Sequence, residues 1–199
     1  MTPAAIRLLT PADAGAYRAL RLRALREHPR AFTSSFDEES QRPLAWSQAR
    51  LQPDPLRPHD FFLGAFHDTG TLVGMVGLLG RYRRKEQHNA TVVGMFVATE
   101  AAGRGLGKAL MQVLLAHARA LPALEQLELT VTQGEGGAQA FYEHCGFVAF
   151  GVLPHAIRVD GVDCAKVHMA LRLRQAGCVS PARPAVASCA TAPENAGPQ

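Results

Sequence analysis

Three glycines alternate in a stretch suited to holding phosphate: Gly103-Arg104-Gly105-Leu106-Gly107, followed at once by Lys108. Glycine loses more entropy than any other residue when the backbone is ordered, so the run marks backbone that something must approach. A strand-like run, "GMFVATE", precedes it, and an apolar periodicity of helical type follows. At such a junction the first helical N–H groups lack intrahelical partners and sit at the positive end of the helix dipole. Residues without side chains let phosphate oxygens reach those amides. Arg104 and Lys108 add formal charge. Two familiar phosphate loops do not fit. A P-loop needs GxxxxGK followed by Ser or Thr, whereas Ala102 stands at its first glycine and Ala109 at its hydroxyl position. A dinucleotide fingerprint needs GxGxxG early in a parallel βαβ array, and the spacing here is GxGxG.

The elements that must position this loop can be read from the chain. "AAIRLL" reads as a first strand. Thr10-Pro11-Ala12-Asp13 reads as a helix start, with a Thr cap, Pro at the first helical position and an acid in the first turn. That helix is expected to run to about His28, where Pro29 stops it. Its four arginines read as a solvated face. "AFTSSFDEES" is expected to be a polar loop or broken turn, and a second helix to cover about residues 43–52. After the proline-rich "QPDPLRPHD" come two strands, "FFLGAFH" and "TLVGMVGLLGRY", joined by Asp68-Thr69-Gly70. The basic turn "RRKEQ" reads as a solvated hairpin end and leads to a third strand, "HNATVVGMFV", completing an antiparallel meander.

Beyond Val97 the pattern changes. Leu106, Leu110, Val113, Leu114 and His117, with Ala109, recur at helical spacing. "LEQLELTV" then alternates as a half-buried strand does. Strand, helix and strand in so few residues imply a right-handed crossover and one parallel pair. Ala138, Phe141, Tyr142 and Cys145 share a helix face, with Gly146 at the C′ position. Two strands, "FVAFGVL" and "VDCAKVHMALRL", finish the fold.

With 199 residues and 47% hydrophobic content, the chain can bury the core of one domain. No apolar run approaches the roughly 18–20 residues that span a membrane. The N-terminal stretch lacks the pattern of a signal peptide, and the four cysteines show no metal-site spacing, so a cytoplasmic protein with reduced thiols is expected. Cys145 reads as buried core. A net charge of +4 is too small to establish nucleic-acid binding.

With these elements in order, "ATEAAGRGLGKAL" resembles the coenzyme A loop of the GNAT superfamily of N-acetyltransferases, whose pattern is Gln/Arg-x-x-Gly-x-Gly/Ala. Ala102 replaces the usual Gln or Arg, which removes one polar side chain but keeps the backbone amides. "LTVTQGEGGAQAFYEHCGFVAFG" resembles the superfamily's second half, with Ala138, Phe141, Tyr142, Gly146 and Phe147 in register and Glu135 where Asn is usual. The resemblance covers about residues 5–172. It implies an α/β GNAT fold: a mixed, mostly antiparallel sheet flanked by helices, with a β-α-β unit for acetyl-CoA.

The resemblance also implies roles. Backbone groups of Met95, Phe96 and Val97 would meet the thioester and pantetheine, with the Val97 N–H donating to the carbonyl. Ala102, Gly103, Arg104, Gly105, Leu106, Gly107 and Lys108 would hold the pyrophosphate. Tyr142 would contact the coenzyme and protonate the leaving thiolate. A base must also deprotonate the amine, whose ordinary pKa of about 10.4 leaves it charged. Several groups stay open for that task. His88 begins the strand that leads to Val97, Glu38 and Glu39 lie in a loop resembling the superfamily's acceptor-side loop, and Glu135 could act through water.

The expectation is therefore an acetyltransferase domain over residues 1–174 and an Ala/Pro-rich, disordered tail over 175–199. Acetyl would pass from acetyl-CoA to a small-molecule or peptide amine by direct attack in a ternary complex, without a metal. No nucleic acid or membrane partner is implied, and superfamily members are often homodimers. The competing reading from another class is a non-catalytic, regulatory acyl-CoA-binding module.

Overall fold

The computed structural model describes residues 5–134 and 137–173. Its centre is a seven-stranded sheet built from β1 (Ala5–Leu8), β2 (Phe61–Phe66), β3 (Leu72–Gly80), β4 (Asn89–Val97), β5 (Gln126–Thr132), β6 (Val148–Val159) and β7 (Val162–Arg172), in the order β1-β2-β3-β4-β5-β7-β6. Only β4 and β5 pair in parallel, and the helix between them makes the crossover that a parallel pair needs. Every other neighbouring pair is antiparallel. The mixed α/β fold expected from the sequence is the one observed.

β2 and β3 are apolar at nearly every position because both faces of this part of the sheet are covered. On one face α4 (Leu106–Ala120) buries Leu110, Met111, Leu114, Leu115 and Ala118 against Leu63, Val76, Leu78, Ala90 and Val92. On the other, α1 (Ala14–Glu27) and α3 (Leu44–Leu51) bury Tyr17, Leu20, Ala24 and Leu51 against Phe62, Val73, Met75 and Phe96. The buried face of α4 is rotated from the one the spacing predicts. Met111, Leu115 and Ala118 are inside, whereas His117 is exposed and bonds back to the Val113 carbonyl.

Two local expectations are corrected. The polar stretch after Phe32 contains a helix, α2 (Phe36–Ser40). Ser35 and Glu38 form a reciprocal capping box: the Glu38 N–H donates to Ser35 Oγ at 3.2 Å, and the Ser35 N–H to Glu38 Oε2 at 3.0 Å. The Ser-x-x-Glu signature was present and outweighs the polar composition. β6 also runs past Leu153 to Val159, because Asp160 and Gly161, both with positive φ, turn the chain tightly into β7. No helix among the described residues is long and apolar enough to cross a membrane. The expected tail, residues 175–199, lies outside the described residues, as does the 174 boundary.

Candidate active site

β4 and β5 pair only over Asn89–Thr91 and Gln126–Glu128. Beyond Thr91 they part. The opening between Val92–Val97 and Leu129–Thr132 is a cavity of about 680 Å³, lined mainly by apolar side chains and backbone. A bulge helps to make it. Three steps along β4, Val93 to Phe96, face two along β3, Gly77 to Met75, and Gly94 takes φ 63°. The Ala98 N–H bonds the Val73 carbonyl at 2.8 Å, on the β3 side. Alternation along an extended chain therefore turns the Val97 N–H to the other edge, where no strand pairs with it.

The loop at the end of β4 begins with a 3-10 turn over Thr99–Ala101. Gly103 and Gly105 both have φ 73°, a conformation in which an ordinary side chain is strained. A Cβ at either would meet no heavy atom within 4 Å. Conformation, not crowding within the protein, accounts for these two glycines. Gly107 differs: it is helical, and its missing Cβ faces Phe141 at 3.7 Å and Val97 at 3.8 Å, inside the cavity. Gly105 caps α4 through its carbonyl, which accepts the Ala109 N–H at 3.0 Å. The N–H groups of Leu106, Gly107 and Lys108 precede the first intrahelical bond and lie at the cavity wall, where an anion would meet them. Arg23 on α1 forks onto Glu100 at 2.7 and 2.8 Å, which links that helix to the turn before the glycines.

Tyr142 stands on α5 (Ala138–His144), which ends in a Schellman motif. The Gly146 N–H bonds the Glu143 carbonyl at 2.9 Å and the Phe147 N–H bonds the Tyr142 carbonyl at 3.0 Å. Gly146 takes φ 94° as the motif requires. Phe141 and Phe147 pack edge-on against the Tyr142 ring. The ring is buried, and the hydroxyl makes no hydrogen bond among the described residues. Burial, with a smaller contribution from Cys145, pushes the hydroxyl pKa well above its ordinary value, so it stays protonated at neutral pH. Burial also raises the Cys145 thiol.

Of the residues expected to hold a coenzyme, Met95, Phe96, Val97, Ala102, Gly103, Gly105, Leu106, Gly107, Lys108 and Tyr142 all line this cavity. Arg104 does not; it is an exposed side chain between the two positive-φ glycines. Three of the expected bases, His88, Glu38 and Glu39, are elsewhere. His88 is exposed at the far end of β4, and at about 3.3 Å per residue that is roughly 25–30 Å from Val97. A strand delivers only one of its ends to a site. Glu38 is occupied as the second half of the capping box, whose Ser35 N–H lowers its pKa. Glu39 is buried and forks with Arg21, Arg21 Nη2 donating at 2.8 Å. Burial pushes its carboxyl up, but the bonds and charge of Arg21 outweigh that and hold it below the usual range. Glu135 lies outside the described residues.

The sequence reading missed the wall opposite α4. His28, Ala31 and Phe32, from the connection after α1, line the same cavity. This connection is fastened across the sheet. Thr132 Oγ1 donates to the Arg30 carbonyl at 2.5 Å, and Lys166 Nζ donates to the Ala31 carbonyl at 3.1 Å and to Thr132 Oγ1 at 2.8 Å. Thr132 and Lys166 are both 4% exposed. Bonds spanning more than a hundred residues leave no local signal in the chain.

The mixed sheet thus splits at its one parallel pair, with a glycine-started helix facing the split. Residues 22–147 match the model of the Acetyltransferase (GNAT) family, and the chain belongs to that family. No curated protein sequence matches the chain. Among solved structures it is similar to a GNAT-family acetyltransferase from Streptococcus pneumoniae, with 22% identity, TM-score 0.72, and coverage of 84% of this chain and 98% of that one. It is also similar to the ribosomal-protein-alanine N-acetyltransferase of Brucella melitensis, with 23% identity, TM-score 0.68 and coverage of 84% and 99%. A third similar structure is a GNAT superfamily phosphinothricin acetyltransferase from Sinorhizobium meliloti in complex with acetyl-CoA, with 18% identity, TM-score 0.70 and coverage of 94% and 97%. Identities this low speak to a shared fold.

Proposed function

We propose that this acetyltransferase takes acetyl-CoA as its co-substrate and transfers the acetyl group to a primary amine of a small molecule or peptide, by direct attack in a ternary complex. One observation carries the reading: a single cavity holds the unpaired strand edge ending at Val97, the free amides that open α4, and Tyr142. The Sinorhizobium relative, solved with acetyl-CoA, and the Brucella relative, named for an amine acceptor, are in keeping with it.

In this reading the amides of Leu106, Gly107 and Lys108 bind the pyrophosphate, and the apolar walls exclude water from the pantetheine arm. The amine nitrogen attacks the thioester carbonyl carbon and a C–N bond forms. The Val97 N–H donates to the oxygen as negative charge grows on it, and its worth increases because the cleft is poor in water. When the tetrahedral intermediate collapses, the C–S bond breaks and its electron pair stays on sulfur. The Tyr142 hydroxyl donates to that thiolate and its proton passes over, and the proton released by the attacking nitrogen goes to solvent, from which the tyrosinate is reprotonated. The proton lost by the amine balances the one gained by the thiol. Holding both reactants in one cleft removes much of the entropic barrier.

The test is thermal unfolding of the full chain with acetyl-CoA, CoA, ATP or NAD, alongside thiol release with an amine panel. At 100 times its dissociation constant a ligand stabilises by about 2.7 kcal/mol, or roughly 5–11 °C for a chain of this size. A shift with both coenzymes and little with ATP or NAD is expected. Millimolar acetyl-CoA and CoA without a shift would overturn the reading. Binding without thiol release from any amine would instead favour a non-catalytic acyl-CoA-binding module.

A further inference from the structure

The proposed reaction needs a group that takes a proton from the ammonium of the acceptor. We infer that His28 is that group; the inference rests on the acetyl-transfer reading above. The cavity is lined by only three titratable side chains among the described residues: His28, Lys108 and Tyr142. Lys108 stands in the first turn of α4, at the glycine end. Tyr142 is kept protonated by its burial, which suits it to donate. Imidazole is the side chain whose ordinary titration falls nearest neutrality.

The geometry supports the role. His28 is the residue that closes α1: its N–H bonds the Ala24 carbonyl at 2.9 Å, and its own carbonyl accepts the Ala31 N–H at 3.0 Å. Its backbone, at φ −133° and ψ 64°, has left the helix. The residue is exposed and lines the cavity, and its ring lies 5.8 Å from that of Phe96, the neighbour of Val97. Its ring nitrogens make no hydrogen bond among the described residues, so both are open to an amine or a bridging water. The peptide carbonyls just after it are tied to Thr132 and Lys166. His28 is thus held in the same cavity as the Val97 edge, beside the ring of Phe96.

The charges around it come from several elements. Arg23, Arg26 and Glu27 lie on α1, with Arg30 just beyond. Arg23 is bonded to Glu27 and to Glu100. Lys166 approaches from β7 through the Ala31 carbonyl, and Lys108 and Tyr142 lie across the cavity. In the step itself, an imidazole nitrogen takes one N–H proton from the ammonium, directly or through water. The freed lone pair then forms the C–N bond, and the imidazolium returns its proton to solvent.

The experiment is the pH dependence of kcat/KM from pH 5 to 10, by thiol release from acetyl-CoA, for wild type and His28→Asn. The acceptors used are spermidine, an aminoglycoside and a peptide with an N-terminal alanine. Acetyl-CoA affinity is measured by calorimetry on both proteins. The wild type should show an acid limb that His28→Asn lacks. The variant should turn over about a hundredfold more slowly, keep its acetyl-CoA affinity and regain rate with added imidazole. An unchanged limb and rate in the variant would overturn the role of His28 while leaving the acetyl-transfer reading intact. A wild type that neither binds acetyl-CoA nor releases thiol would overturn both.

Discussion

Gly107→Ala should make the free protein more stable and the proposed coenzyme site worse. The residue is the second of α4, and its φ lies outside the left-handed range. Alanine in a helix is favoured over glycine by roughly 0.5–1 kcal/mol. The added methyl meets only Phe141 and Val97, at 3.7 and 3.8 Å, which is ordinary contact without strain. The free variant should therefore unfold about 1–4 °C higher. The same methyl, however, stands in the cleft between the Val97 edge and the α5 wall, where the pantetheine arm is proposed to pass. Filling space that a ligand needs costs about 1–3 kcal/mol, so the dissociation constant for acetyl-CoA should rise roughly 5- to 150-fold, measured by calorimetry. Wild-type affinity in the variant would refute the assignment of this wall to the coenzyme. A lower melting temperature would refute the helix argument.

Gly105→Ala should behave oppositely in the free protein. At φ 73° an L-residue costs roughly 1–2 kcal/mol although no atom obstructs it, and Gly105→Asn should lose less, as chemical denaturation of both will show. Tyr142→Phe removes a hydroxyl without a partner among the described residues, so stability should change little while kcat for thiol release falls about a hundredfold. Glu39 is held below its ordinary pKa in the fold, so the unfolded chain takes up the proton first and stability declines as pH falls below about 4–5. Glu39→Gln should cost about 3 kcal/mol at pH 7, and its urea midpoint should vary less between pH 3 and 7 than that of the wild type.

The glycine end of the cavity was legible because local rules govern it. Strand, positive-φ glycines and helix start occupy consecutive residues, so spacing alone places Gly103, Gly105 and the first amides of α4 together. The register of Tyr142 follows from a single helical turn that ends at Gly146. The wall formed by the connection after α1 was not legible. His88 and Glu38 are titratable residues near a predicted strand or loop, yet one belongs to the wrong end of its strand and the other caps a short helix. His28 enters the cavity because Thr132 and Lys166 grip the chain two and three residues beyond it, across the sheet. Hydrophobic periodicity cannot report such a contact. The rotation of the α4 face has a similar cause: Met111 and Leu115 bury because strands lie under that side of the helix, not because the repeat demands it.

The bulge in β4 ties these halves together. Without it, strict alternation would put Phe96 on the same face as Ala90 and Val92, toward α4. With one extra residue, at Gly94, Phe96 turns instead into the core beneath α1, and Met95 packs toward the α4 side. Phe96 then provides the ring beside His28, while its neighbour Val97 carries the unpaired N–H at the split. A slip of one residue flips every later side chain, so the bulge sets the strand edge and the opposite wall in one step. A positive φ at Gly94 is what permits it, and no heavy atom lies within 4 Å of the missing Cβ. The glycine is therefore there for its backbone angle, and the two walls of the cleft hold their relation through the strand between them.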